Sequence, residues 1–321
     1  PAATLAGQAI LAAGGNVADA AVAVSLALSV VEPFSSGIGG GGLAVIRMNG
    51  RTETWDFRET APAAATRDMY VEAGRVVRGR STLGALAAAV PGQVRGLSAL
   101  HEAHGRLPFA VLVAPALSLA REGFEVSSRL HEAITQSVEN FDPAARRIFL
   151  TADGAALPVG ATVVQADLAR TLERIADTRG EAFYTGDVAA ELVRSVQVAG
   201  GLWSAEDLAG YRPKRRAPIV GRFMGHEIHT MPPPSSGGLL LVQMLGVLEV
   251  FEPGRTGAGS AATLHRQIEA SKRAFALRAT GLGDPDQVAV QHDDFIGSEV
   301  IARVRKEVAA AEVATPGDAI A

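Results

Sequence analysis

The sequence predicts a mixed fold, α/β or α+β, on three observations. Strand character is confined to residues 43–57 and 217–230. Helical patterns fill most of the remainder. No internal repeat breaks the chain into modules. Order and spacing alone do not separate the two fold classes.

The elements follow from the chain in order. Residues 4–13 are rich in Ala, Leu and Ile, and Gly14-Gly15 is a helix stop. Asn16 is placed to cap a second helix from about Ala18 to Val31, whose small residues suit close packing against a sheet. Glu32-Pro33 ends it. Five of the six residues from Gly37 to Gly42 are glycine. Such a backbone turns tightly, takes positive φ, or lets another group come close. Leu43–Met48 reads as a strand, Asn49-Gly50 as a hairpin turn, and Thr52–Phe57 as the return strand. Pro62 limits further sheet pairing.

Residues 64–105 mix loop and helix, with a turn at Val90-Pro91-Gly92 and a helix over 93–104. Residues 109–150 read as mostly helical, with Pro115 at an early helical position or a kink. A helix over 163–178, a loop over 180–186 and a helix over 187–200 follow, and Ser204 caps a short helix through Leu208. Residues 217–231 return to strand, with a second hairpin turn near Met224-Gly225. Pro232-Pro233-Pro234 excludes a strand or helix interior. Ser235-Ser236-Gly237-Gly238 then opens an apolar helix over about 239–250. The serines are expected to cap it, and such an end also suits an anion. A helix over 260–280 should turn its Arg, Lys and Glu residues to water. From Glu307 the chain is alanine-rich and weakly patterned, and its last residues, ATPGDAIA, are expected to be mobile.

Composition excludes several function classes. With 321 residues, 48 % hydrophobic and 20 % charged, the chain is long enough for one large core or two smaller ones. A net charge of −4 gives no electrostatic case for nucleic acid or an anionic membrane. The cluster Lys214-Arg215-Arg216 reads as a solvated face. The absence of cysteine excludes disulfides, thiol catalysis and cysteine metal sites. The longest apolar run, about Ala20 to Val31, is too short for a membrane span. His101 and His104 share a helical face but lack a third metal ligand, so a solvated helix end is expected there. His226 and His229 point to opposite faces of a strand. Gly37, Gly39 and Gly42 satisfy G-x-G-x-x-G, yet a helix precedes them and a strand follows, the reverse of a dinucleotide site. No metal and no cofactor is indicated.

The candidate functional residue is Arg58, where the return strand ends, with Glu59 beside it. Two readings stay open on chemistry alone. One is a surface ion pair of small worth. The other is a carboxylate clamp, since the planar guanidinium makes two parallel hydrogen bonds to a carboxylate.

The segment GGNVADAAVAVSLALSVVEPFSSGIGGGG, followed by DFRETAPAAATRDMY, resembles γ-glutamyltranspeptidases. So do VPGQVRG (90–96), DLAGYRP (207–213), MPPPSSGG (231–238) and LGDP (282–285), which occur in the family's order over most of the chain. The resemblance implies an α+β fold, a four-layer αββα sandwich of the N-terminal-nucleophile hydrolase type, of which this chain forms the larger part. It implies that Arg58 holds the α-carboxylate of a γ-glutamyl group; the neighbouring Glu59 is a candidate to orient it. In such enzymes a threonine, exposed when a precursor cleaves itself, attacks through its hydroxyl while its amine serves as base. This chain begins at Pro1, and Ser35-Ser36 lies in no G-x-S-x-G arrangement. The expected protein is therefore a large subunit, residues 1–321 contributing to one domain shared with a small subunit that begins with Thr. The stretch from about 307 to 321 is expected to be a mobile C-terminal tail near the processing point. Export to the periplasm or medium after loss of a leader is expected, with a cytoplasmic location left open. A related glutaryl- or cephalosporin-type acylase, and a non-catalytic binding module, remain as alternative functions.

Overall fold

The computed structural model describes residues 2–252, 257 and 259–311. Two units divide the chain: Pro1–Gly42 with Asp56–Lys214, and Leu43–Trp55 with Arg215–Ala321. The chain passes between them on either side of one hairpin, β1 (Gly42–Met48) and β2 (Arg51–Phe57), and again at Lys214–Arg215. Asn49 and Gly50 both take positive φ, 50° and 77°, the turn that the Asn-Gly pair predicts.

The first unit is mainly helical. Its opening helices are α1 (Ala2–Ala12) and α2 (Val17–Val31). Asn16 caps α2 as expected: its side chain accepts from the Ala18 and Asp19 N–H groups at 2.9 and 3.0 Å, and Asp19 accepts from the Asn16 N–H. The buried Asp19 carboxylate also accepts from the Arg106 N–H at 3.0 Å, tying the start of α2 to a loop far along the chain. Helices α3 (Gln93–His104) and α4 (Phe109–Glu122) follow. Within this unit α2 packs against α1 and α4, so its small residues serve helix–helix approach. Pro115 lies in the interior of α4, where it has no N–H to give.

His101 departs from expectation. It is buried, with Nε2 2.7 Å from the Leu107 carbonyl and its ring 5.2 Å from that of Phe109. The chain doubles back at Gly105 and covers the imidazole, which periodicity alone did not reveal. The segment 109–150 breaks into α4, α5 (Ser128–Ser137) and α6 (Pro143–Phe149). Helices α7 (Ala166–Thr178), α8 (Ala182–Thr185), α9 (Asp187–Val198) and α10 (Ala205–Gly210) complete the unit. The expected loop over 180–186 is therefore partly helical, because Phe183 and Tyr184 anchor it by burial. Ser204 caps α10 as expected, in a reciprocal pair with Asp207.

Two short antiparallel pairs also belong to the first unit: the hairpin of β3 (Val71–Glu72) with β4 (Arg75–Val76), and β5 (Phe124–Glu125) with the sequence-distant β6 (Thr162–Val163). A three-stranded sheet orders β1, β2 and β7 (Lys214–Arg216). The basic cluster forms this strand, with Lys214 and Arg215 exposed as the solvated-face reading expects and Arg216 half-buried. Arg215 stacks 4.3 Å from the Trp55 ring centroid, and Arg216 pairs with Asp286 at 2.8 Å.

In the second unit β8 (Ile219–Phe223) pairs antiparallel with β9 (His226–Thr230) across a Met224-Gly225 turn, as predicted. Helix α11 (Gly237–Leu248) follows the prolines. Its capping is only half as expected. Ser235 accepts from the Gly237 N–H at 3.2 Å, whereas Ser236 accepts instead from Arg278 Nε at 3.0 Å. Helix α12 (Ala261–Gly281) carries a second correction: Glu269 is buried rather than solvated. It pairs with Lys272 and Arg273 on its own helix, and Arg273 also reaches Glu307 at 3.0 Å. After α13 (Asp293–Ile296), α14 (Ser298–Ala310) keeps the alanine-rich stretch helical past Glu307. The ATPGDAIA residues lie outside the described residues. No described helix is long and apolar enough to cross a membrane.

Hydrogen bonds from Arg273, then Lys272, hold the Glu269 carboxyl below the usual glutamate value. A lowered native value means that this contribution to stability is complete above the unfolded value, about 4.5, and is lost as pH falls through the native one. Glu269→Gln should therefore flatten the acid limb, losing less of its thermal midpoint than wild type between about pH 6 and about pH 3. Parallel limbs in the two proteins would refute the assignment.

Candidate active site

Arg58 is the first residue after β2, and the chain on both sides of it is held in place. Phe57, just before it, is buried. A Cβ on Gly41 would stand 2.5 Å from the Phe57 carbonyl oxygen and 2.8 Å from the Glu59 nitrogen. One on Gly92 would stand 2.1 Å from that same carbonyl and 2.2 Å from the Tyr211 hydroxyl. The glycine stretch therefore serves close approach at these points. None of Gly37 to Gly42 has positive φ.

Hydrogen bonds fasten the same turn. The Gly40 carbonyl accepts from the N–H groups of Gly92 and Gln93, both at 2.9 Å, so the start of α3 sits on the glycine loop. Thr60 and Val90 exchange N–H···O bonds at 3.2 and 2.8 Å just past Glu59. The Arg58 N–H donates to Asp56 Oδ1 at 3.1 Å, and its carbonyl accepts from the Tyr211 hydroxyl at 2.8 Å. Burial, with Tyr184, Asp56 and Glu59 nearby, pushes the Tyr211 phenol up, so it remains a proton donor at neutral pH.

The guanidinium is left available. Its side chain is 55 % exposed, and its nearest acid is Glu59, Nε to Oε2 at 3.9 Å, beyond hydrogen-bond length. Both open readings of Arg58 thus meet the same geometry: an ion pair exists, but it leaves the donors of the fork unused.

Glu59 faces a cavity of about 360 Å³ whose wall also includes Ser35, Ser36, Gly39, Gly40 and Gln93. Arg58 is not among the lining residues; it stands beside the one carboxylate that is. Sequence reasoning named Arg58 and Glu59 but not Gln93 or Tyr211. Both missed residues lie inside quoted motifs, VPGQVRG and DLAGYRP, and that was the available signal. Among the described residues no group of three His, Asp or Glu is placed to hold a metal ion.

The family profile described as gamma-glutamyltranspeptidase matches residues 3–318. The chain belongs to the gamma-glutamyltranspeptidase family. It is similar to the glutathione hydrolase proenzyme of Escherichia coli (strain K12), 42 % identical over 294 residues that cover 90 % of this chain and 50 % of that protein. It resembles the acylase ACY 1 proenzyme of Pseudomonas sp. (strain V22), 41 % identical over 300 residues, 90 % of this chain and 54 % of that one. The crystal structure of Helicobacter pylori gamma-glutamyltranspeptidase superposes with a TM-score of 0.95 at 38 % identity, covering 98 % of this chain and 91 % of that chain. The fold is accordingly the α+β fold of the N-terminal-nucleophile hydrolase type. The chain spans about half the length of the curated relatives it matches.

The clamp on Arg58 makes a stability prediction. Gly92→Ala should cost about 1–3 kcal/mol of stability, because its methyl meets backbone and a fixed ring. Gly39→Ala, with nothing within 4 Å of its Cβ, should leave the unfolding midpoint unchanged. Equal effects on urea unfolding would contradict the close-approach account.

Proposed function

We propose that this chain is the large subunit of a two-chain γ-glutamyl hydrolase and transferase acting on γ-glutamyl amides such as glutathione. The observation that carries the reading is a fixed arginine with free donors: the backbone of Arg58 is anchored by Asp56 and Tyr211, while its fork reaches no hydrogen-bond acceptor among the described residues. An arginine held this way fits a ligand carboxylate, gripped by two parallel bonds. In the proposed reaction the substrate's α-carboxylate lies on Arg58. The threonine of a second chain attacks the γ-carbonyl, the amine leaves, and water or an acceptor amine then takes the acyl group.

Two further findings support a second chain. The curated relatives are about twice as long, and several are named proenzymes. In the second unit, helix α12 exposes Leu264, Ile268 and Phe275, the kind of apolar patch that an assembled protein covers.

The acylase relative supports a second reading, in which a glutaryl-type amide is the donor. Arg58 would serve either donor, since both carry a carboxylate. Glu59 favours the γ-glutamyl group, whose α-ammonium finds a counter-charge on the cavity wall, whereas a glutaryl group has none to offer.

In the enzyme made from the complete coding sequence, Arg58→Ala should raise KM for a γ-glutamyl anilide by on the order of 10- to 100-fold, the loss expected for charged hydrogen bonds. Arg58→Lys should recover only part of this, because a point charge replaces the fork. An unchanged KM rejects the role, and faster turnover of the glutaryl anilide by wild type selects the acylase reading.

A further inference from the structure

A second, apolar pocket of about 120 Å³ adjoins the cavity that carries Glu59. Pro33 and Phe34 belong to the walls of both. Beyond Phe34 the pocket is walled by Leu130 and Ile134 of α5 and by Phe141 and Phe149. These residues belong to a cluster set in the hydrophobic core of this part of the first unit, so the pocket has firm walls. For scale, a cavity of about 150 Å³ accepts benzene. An aliphatic side chain of four or so carbons fits the smaller volume here.

Beside the shared Phe34 stands Arg129, its guanidinium 5.4 Å from the centroid of that ring. Among the described residues it has no acid partner. Stacking occupies the face of the guanidinium and leaves its edge donors free. One apolar pocket and one unpaired cation therefore share Phe34, next to the Glu59 cavity.

We infer that this pocket and Arg129 form a subsite for the amine side of the reaction, taking an α-amino acid or short peptide with an apolar side chain and a free carboxylate. The inference rests on the γ-glutamyl reading above. The side chain enters between Leu130, Ile134 and Phe149, the carboxylate meets Arg129, and the amine is left toward the cavity walled by Glu59 and the glycine loop. The chemistry separates this ligand from an apolar segment of a partner chain, which would fill the pocket but bring no carboxylate to Arg129.

The test is acceptor competition in the enzyme made from the complete coding sequence, with a γ-glutamyl anilide as donor. Leucine is compared with glycine, and leucine with leucinamide. Each comparison is a ratio within one preparation, so differences in overall activity cancel. Wild type should prefer leucine to glycine in kcat/KM, and leucine to leucinamide. Ala133→Leu, which fills the pocket from its half-buried rim, should cut the leucine-to-glycine ratio by about tenfold, the scale of a lost apolar contact. Ser137→Leu should do the same from the next turn of α5. Arg129→Gln should bring leucine and leucinamide together while keeping the preference for leucine over glycine. Equal use of leucine and glycine by wild type, or a ratio untouched by both pocket-filling variants, overturns the subsite and leaves the pocket to a partner chain. Failure of wild type to release the anilide at all instead overturns the γ-glutamyl reading.

Discussion

Everything proposed for this site depends on backbone approaching backbone at the end of β2. Gly41 and Gly92 bring two distant segments so close to the Phe57 carbonyl that a methyl group on either would collide with main-chain atoms. That closeness lets the Gly40 carbonyl receive two N–H groups from the start of α3 and lets Tyr211 reach the carbonyl of Arg58. A long, flexible side chain gains directional value only when its root is immobile, because otherwise ordering entropy offsets much of each hydrogen bond it makes. Here the root is fixed from three stretches of sequence and the tip is free.

The local chemistry of the fold was legible wherever a residue acts on its own neighbours. Asn16 and Ser204 cap the helices they precede, and both two-residue hairpin turns fall where Asn-Gly and Met-Gly stand. The errors share one cause, tertiary contact overriding local pattern. His101 looked solvated by its place near a helix end, yet a turn at Gly105 encloses it. Glu269 looked solvated because it is charged, yet two cations on its own helix allow its burial. The 180–186 segment lacks helical length, yet Tyr184 anchors it by giving its proton to the Pro91 carbonyl and accepting from the Arg95 N–H.

The site was legible in part and for a different reason. Arg58 and Glu59 were found through a motif rather than through periodicity, since one charged pair after a strand says nothing by itself. The glycine run announced a constraint, but three causes were open, and only three-dimensional contacts select close approach. Tyr211 and Gln93 lie 153 and 35 positions from Arg58, and no local rule joins such residues. Glu59 rather than Arg58 lines the cavity, an anion on the wall with a cation beside it, and the proposed ligand would carry the two opposite charges on one carbon.

The central claim is that the Arg58 fork and a ligand carboxylate are partners, and a thermodynamic cycle tests it most directly. Inhibition constants of a γ-glutamyl ligand and of its α-carboxamide would be measured in the enzyme made from the complete coding sequence, with arginine and with alanine at position 58. If the two groups meet, removing either abolishes the same bonds, so the second removal adds almost nothing and the coupling is about 2 kcal/mol. Strictly additive losses, with coupling near zero, would mean that Arg58 and the carboxylate never touch.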